Sequence, residues 1–233
     1  MDVQEALRTT GSVREFRPEP VARDVIWRVL DTARFSPSGG NVQGWQVVVV
    51  EDPEKRRRLR DMYLLGWYEY LALTAAGLRP WSPLADRTAE AAARPAADEH
   101  RRAAAAGAGG FAEHLDTAPV LLALFVDLGA LAAVDRDLER YTFAGGASVY
   151  PFAWSVLLAA RDEGLGGVIT TMCIHEEDGV KALLGAPDAS ALAAVIALGY
   201  PVRRPRSLTR NDVGTFAHID AIDGEPLAPR PAP

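Results

Sequence analysis

The stretch Ser36-Pro37-Ser38-Gly39-Gly40-Asn41-Val42-Gln43-Gly44-Trp45-Gln46-Val47-Val48-Val49-Val50 decides how the rest of the chain is read. Its first half is turn chemistry: a proline, two serines, a glycine pair and an asparagine, residue types that favour loops or tolerate left-handed backbone. Its second half, Trp45–Val50, is a short Val-rich apolar run bounded by turn residues, and it reads as a buried central strand. Upstream, Val21, Val25, Ile26, Val29 and Leu30 recur at helical spacing after Pro20, so a helix is expected to stop near Phe35-Ser36-Pro37. Downstream, Asp52-Pro53 opens another helix through the basic stretch Lys55–Arg60.

The same logic extends outward in both directions. Positions 2–8 read as a short amphipathic helix with Val3, Ala6 and Leu7 on one face, and Val13–Phe16 as an extended segment. Ala118–Val126 reads as a second buried strand. Gly146–Arg161 is an apolar helix, with Val149, Phe152, Ala153, Val156, Leu157 and Ala160 at helical spacing and Gly164-Leu165-Gly166-Gly167 as its stop and turn. Val168–Thr170 is a short strand, His175–Leu184 a helix stopped by Gly185, Ala191–Leu198 a third strand, and Thr215–Ile219 a last extended segment. Strands and helices are mixed, which argues α/β or α+β. Between residues 62 and 112 the chain turns to Ala, Arg and aromatics, with Trp67, Tyr68, Tyr70 and Trp81 in the first half. That composition gives one or two helices and a hinge, not a second core. The expected organisation is one domain over 1–233 with a helical, lid-like insertion at about 62–112.

Composition narrows the function classes. Of 233 residues, 48% are hydrophobic and 24% charged, which excludes disorder of the whole chain. Lys and Arg number 25 against 31 Asp and Glu, a net charge of −6, so no nucleic-acid partner is expected. The one cysteine, Cys173, excludes an intramolecular disulfide and a Cys-rich metal site, and reads as a small buried hydrophobe. Met1–Glu5 is acidic and lacks an apolar h-region, and runs such as Ala118–Val126 are too short to span a bilayer. The expectation is a cytoplasmic protein without a membrane partner.

Several common motifs are absent. There is no Walker A loop, no G-x-G-x-x-G after a strand and no G-x-S-x-G elbow. His100, His114, His175 and His218 lack metal-ligand spacing, and His175-Glu176-Glu177-Asp178 reads as the acid-rich first turn of a helix. No metal is expected.

Three features remain. Ser12-Val13-Arg14-Glu15-Phe16 places Ser and Arg two apart on an extended segment, hence on one side, where they could hold a phosphate or a polar ring edge. The loop Pro37–Gln43 lets backbone approach a ligand closely, with Ser38, Asn41 and Gln43 as neutral donors and acceptors. Arg203, Arg204, Arg206 and Arg210 fall within eight residues of an acidic protein, which is either an anion site or a solvated tail.

Together these segments resemble the FMN-dependent nitroreductase superfamily, whose pattern runs R-R-S-x-R-x-F, a Pro-Val helix, P-S-x-x-N-x-Q-P-W, A-A-x-x-x-G-L-G and G-Y-P. The matching residues are Ser12–Phe16, Pro20-Val21, Pro37–Trp45, Leu158–Gly166 and Leu198-Gly199-Tyr200-Pro201, so the likeness covers 2–60 and 115–220 and leaves the middle uncovered. The resemblance implies an α+β fold, an α/β-type three-layer sandwich whose mixed, mostly antiparallel central sheet is flanked by helices. It also implies a homodimer with FMN at the subunit interface. In it, Ser12 and Arg14 would contact FMN, with Arg14 toward the pyrimidine edge. Pro37, Ser38, Gly39, Asn41 and Gln43 would reach FMN across the interface. Ile169, Thr170, Thr171 and Met172 would lie near the flavin, and Arg210 and Arg206 would serve the phosphate. Trp67, Tyr68, Tyr70, Tyr141 and Phe143 would wall the substrate pocket.

The implied activity is reduction of a small electron-poor acceptor, a nitroaromatic or quinone, by NAD(P)H in a ping-pong hydride cycle. Bound FMN would carry the chemistry and no side chain would act as acid or base. The alternatives are a flavin-dependent dehydrogenase or oxidase of a biosynthetic intermediate, or a non-catalytic flavin-binding protein. Three departures stand out. Thr10 replaces the first Arg of the pattern, leaving a phosphate contact for Arg8 or Arg206; Gly44 replaces a Pro, which would loosen the loop; Trp154-Ser155 replaces Gln-Asn.

Overall fold

A computed structural model describes residues 2–229. Its α-helices are α1 (Val3–Thr9), α2 (Arg23–Ala33), α3 (Pro53–Ala75), α4 (Arg87–Ala93), α5 (Ala97–Ala103), α6 (Tyr150–Asp162) and α7 (Glu177–Leu184). Its strands are β1 (Trp45–Val49), β2 (Val120–Asp127), β3 (Gly166–Thr170) and β4 (Ser190–Gly199). They form one sheet in the order β1-β2-β4-β3, with every neighbouring pair antiparallel. A parallel bridge between Ser12 and Gly167 adds the N-terminal segment to the edge of β3, so the sheet is mixed and mostly antiparallel.

The two longest apolar strands, β2 and β4, take the middle because they alone are apolar enough to be covered on both faces. Along β2, Val120, Leu122, Leu124 and Val126 enter one core, and Leu121, Ala123 and Phe125 the other. The first core is closed by α2 and α6 through Ile26, Val29, Ala33, Phe152, Val156 and Leu157. The second is closed by α3 and α7 through Leu59, Tyr63, Val180 and Leu183. The result is three layers. On β4 the alternation changes phase between Ala193 and Val195. There Leu124 faces Ala194 while Phe125 faces Leu192, so Ala193 is the extra residue of a bulge. The run Trp45–Val49 is an edge strand, not a central one. Among the described residues it pairs only with β2, and Gln46 and Val49 stay exposed. A short apolar run signals an extended conformation but does not say how many neighbours it will have.

The basic start of α3 is structural. Asp52 caps it by accepting from the Lys55 N–H at 2.8 Å, and Pro53 sits in the first turn. Arg56 donates to the carbonyls of Asp116 (2.8 Å), Val50 (3.1 Å) and Ala118, tying the helix to the ends of β1 and β2. Burial lowers its pKa, but carbonyl oxygens satisfy the guanidinium. From this anchor α3 runs unbroken through residue 62 to Ala75, so the stretch expected as an insertion begins inside a helix whose first half belongs to the core. Thr215–Ile219 is not a strand: Val213–Thr215 is a 3-10 turn, and His218 alone bridges Pro226. The tail folds on itself, with the Leu227 N–H donating to the Ala217 carbonyl at 2.9 Å.

At β3 the glycines decide what can dock. A Cβ on Gly166 would stand 2.7 Å from Val13, and one on Gly167 would stand 2.4 Å from the Leu198 side chain and 2.6 Å from the Ala197 carbonyl oxygen. Residues 12–14 therefore lie flat on β3 because nothing protrudes there. No helix among the described residues is long and apolar enough to cross a membrane.

Candidate functional site

The N-terminal segment is held on two sides. The Val13 N–H donates to the Gly167 carbonyl at 2.9 Å, while the Arg17 N–H donates to Tyr200 (2.8 Å) and Val202 to Glu15 (3.0 Å). This registers Ser12 and Arg14 beside the segment that follows β4. The two border a cleft of about 990 Å³, with Arg203, Arg204 and Arg206 on the opposite side. Four arginines and one carboxylate, Glu15, line it, which is a donor set for an anion. Arg204 donates to the Gly164 carbonyl; burial, then Arg161 and Arg17, lower its pKa. Below the cleft, Thr10 and Arg161 border a small gap in which Thr10 Oγ1 and Arg161 Nε lack partners. Thr10 is thus buried under the cleft. Of the two candidates to replace its expected contact, Arg206 lines the cleft and Arg8 does not. Arg210 also lies outside the lining, exposed, with Nη1 on the Thr209 carbonyl at 2.7 Å.

A second cavity, of about 730 Å³, opens on the other side of Arg14. The end of β3 and the next turn supply Ile169, Thr170, Thr171 and Met172; α3 supplies Tyr63, Trp67, Tyr68 and Tyr70. His100 of α5 and Phe111–Glu113 close it. Trp67 and Tyr70 stack with centroids 5.5 Å apart and planes 9° from parallel, presenting a flat aromatic wall. Burial raises the pKa of Tyr63, and a hydrogen bond with Thr170 opposes it; burial and the charge of Glu113 raise that of Tyr68. Both phenols thus stay protonated over a wide range. Trp81 backs the wall without lining the cavity, its ring 4.4 Å from His175 and 6.0 Å from Tyr70. Its left-handed backbone (φ 53°) is held by the buried Glu90, which accepts from the Trp81 N–H at 3.1 Å.

The remaining site candidates lie apart from both cavities. Gly40, Asn41 and Gln43 all have positive φ (59°, 55° and 54°), which costs Gln43 in particular about 1–3 kcal/mol. Ser38 Oγ stabilises the turn by accepting from the Gln43 N–H at 2.9 Å, and the Gly39 N–H donates to Ser148 Oγ at 3.0 Å. Pro37 enters this loop and is exposed. At Gly44 the loop packs closely, since a Cβ there would stand 2.5 Å from that of Ala130. Tyr141 and Phe143 are exposed on a loop pinned by Asp135, which accepts from Thr142 Oγ1 at 2.6 Å and the Phe143 N–H at 2.9 Å. Cys173 is fully buried and its thiol is pushed up to about 12 by burial, which removes it from chemistry. No group of three or more potential metal ligands occurs among the described residues.

Among the titratable residues lining the aromatic cavity, Tyr63, His100 and Glu113 escaped sequence reasoning. Tyr63 had a signal, since Tyr63, Trp67 and Tyr70 form an i, i+4, i+7 stripe. His100 and Glu113 had none beyond flanking the glycine-rich stretch Gly107–Gly110.

A basic cleft and an aromatic cavity thus meet at Arg14, on the sheet edge of a three-layer α+β sandwich. The family model described as "Nitroreductase family" matches residues 7–200, and the chain belongs to that family. It is 29% identical over 228 residues to a protein named NADH dehydrogenase from Thermus thermophilus, covering 86% of this chain and 87% of that one. It is 27% identical over 199 residues to iodotyrosine deiodinase 1 of Rattus norvegicus, covering 85% of this chain and 62% of that one. Among solved structures, a BluB-like flavoprotein from Clostridium difficile superposes with a TM-score of 0.66 at 20% identity, covering 95% of this chain and all of that one.

Proposed function

We propose that the chain is an FMN-dependent oxidoreductase that takes electrons from NADH or NADPH and reduces a small, flat, electron-poor acceptor. The observation that carries this reading is that Arg14 lines both the arginine-rich cleft and the aromatic cavity. A phosphate-bearing chain and a planar ring could therefore be held end to end by one molecule of mononucleotide size. The donor set fits FMN: Ser12, Arg14 and Arg206 line the cleft, Arg210 follows on the same exposed segment, and Ile169–Met172 border the ring cavity.

Bound FMN supplies two-electron redox chemistry between a nicotinamide donor and an acceptor. The chain's own residues do the rest. Arg14 offers positive charge where the reduced cofactor would carry negative charge. Trp67, Tyr68 and Tyr70 give an acceptor a face to stack on and keep water from it.

The loop Pro37–Gln43, with Tyr141 and Phe143, is assigned to the site of a second copy in a homodimer. Its left-handed residues and the exposed side chains of Phe35, Val42 and Phe143 support that assignment. A substrate-oxidising role is the second reading. It is favoured by His100, Ala103 and Ala104 of the α5 region, which narrow the space left for a nicotinamide by lining the same cavity.

The test is the visible absorption of the purified protein, followed anaerobically as NADPH and then NADH are added. Rapid bleaching of a bound flavin supports the reductase. A bound flavin that stays oxidised moves the assignment to the second reading, and a protein that takes up no FMN overturns both.

A further inference from the structure

The aromatic cavity carries one carboxylate among its lining residues, Glu113. We propose that Glu113 makes this cavity selective for acceptors that bear a protonated amine or another cationic N–H group. The inference rests on the reading above for the chemistry at the strand end of the cavity, and concerns the end formed by residues 110–113.

Glu113 is placed firmly. One carboxylate oxygen accepts from the Gly110 N–H at 2.6 Å. The residues on either side anchor the turn, with Ala112 buried and Leu115 fully buried in the core under α3. The carboxylate also takes a hydrogen bond from the Tyr68 hydroxyl, a neutral group that leaves its negative charge uncompensated. Arg101, whose guanidinium lies 5.7 Å from the Tyr68 ring, pairs with Asp98 at 2.7 Å. Arg60 pairs with Asp61 and Asp116, at 2.8 and 2.9 Å. The carboxylate is half-buried beside aromatic rings, where a charge-assisted hydrogen bond gains strength over the same bond in water. The stacked pair Trp67 and Tyr70 adds a surface that attracts a cation as well as a flat ring. Arg14 also lines the cavity, and with Gly110 and Phe111 it borders a neighbouring hollow.

The test uses three probes with one nitrophenyl ring and different charge: 4-nitrobenzylamine, 4-nitrobenzyl alcohol and 4-nitrobenzoate. With the flavin-loaded protein, kcat/KM is expected to fall in that order, the difference lying in KM. Quenching of tryptophan fluorescence is expected to give the same order of affinity. Glu113→Gln should lower kcat/KM for the amine roughly tenfold to hundredfold, to the level of the alcohol. It should lower kcat/KM for the alcohol far less than for the amine. Equal binding of amine and alcohol by the unmodified protein overturns the proposal, as does a Glu113→Gln variant that weakens all three probes alike. The ranking in the unmodified protein needs no variant to fold, and the quenching titration needs no turnover. A protein that bleaches with NADPH but ranks the probes equally thus refutes the role of Glu113 alone, whereas one that takes up no flavin refutes the underlying reading.

Discussion

Ser12 and Gly167 form a parallel bridge at the open edge of β3, where Gly166 leaves room for Val13 and Gly167 lies tight against β4. The same register carries Arg14 to the point where cleft and cavity meet. Gly167→Ala forces a Cβ to within 2.6 Å of the Ala197 carbonyl oxygen, a backbone atom that cannot swing aside. The expected cost is about 1–3 kcal/mol of stability, read as a lower urea midpoint, together with weaker FMN uptake. A midpoint equal to that of the unmodified chain would show that the edge accommodates a methyl group.

Arg14 is exposed and packs into no core, so its removal should leave the fold intact. Arg14→Ala is expected to weaken FMN binding at least tenfold, consistent with loss of about 1.5–3 kcal/mol from a charged hydrogen bond. Arg14→Lys should recover part of the affinity, because charge returns without the planar fork. Equilibrium dialysis at two salt concentrations checks this. Undiminished affinity in the alanine variant contradicts the assignment.

Asp135 pins the loop carrying Tyr141 and Phe143. Its carboxyl is held well below the usual range, first by the Thr142 hydroxyl, then by the Phe143 N–H and by Arg140. A carboxylate with a depressed pKa stabilises the fold fully above its unfolded value, about 3.9, and loses that contribution as pH falls below it. The unmodified protein should therefore exceed Asp135→Asn in thermal midpoint at pH 7, with the gap closing below about pH 4. A gap that persists unchanged at pH 3 argues against this role for the carboxylate.

Cys173 sits at the turn after β3, beside the cavity, yet its thiol is fully buried and lies 3.7 Å from the Leu59 carbonyl oxygen. A thiol-specific reagent at pH 8 should react only at the rate of unfolding. Cys173→Ala should keep flavin reduction unchanged and cost less than about 1.5 kcal/mol. Fast stoichiometric labelling of the folded protein would falsify the burial.

Most of the fold was legible because its signals are local. The alternating faces of β2, the spacing of Val149, Phe152, Val156 and Leu157 on α6, and the left-handed stop at Gly185 (φ 71°) all lie within short windows. What stayed hidden depends on neighbours. Trp45–Val49 looks the same whether one strand or two pair with it, and the shift at Ala193 shows only against β2. At the site, Ser12, Arg14 and Arg206 were legible as residue types with a shared chemistry. Glu113 was not, since an isolated glutamate gains meaning only when Tyr68, from a distant helix, is brought beside it.

The long helix α3 divides labour along its length. Its first turns are locked by Arg56 and packed through Leu59, while its later turns offer Trp67, Tyr70 and Leu71 to the cavity. Changes of preference can therefore accumulate on the outer turns while the inner turns keep the domain folded. In evolutionary terms, Tyr70 and Leu71, which border the cavity but belong to neither core, are where substitutions can change the ligand at least cost to the fold.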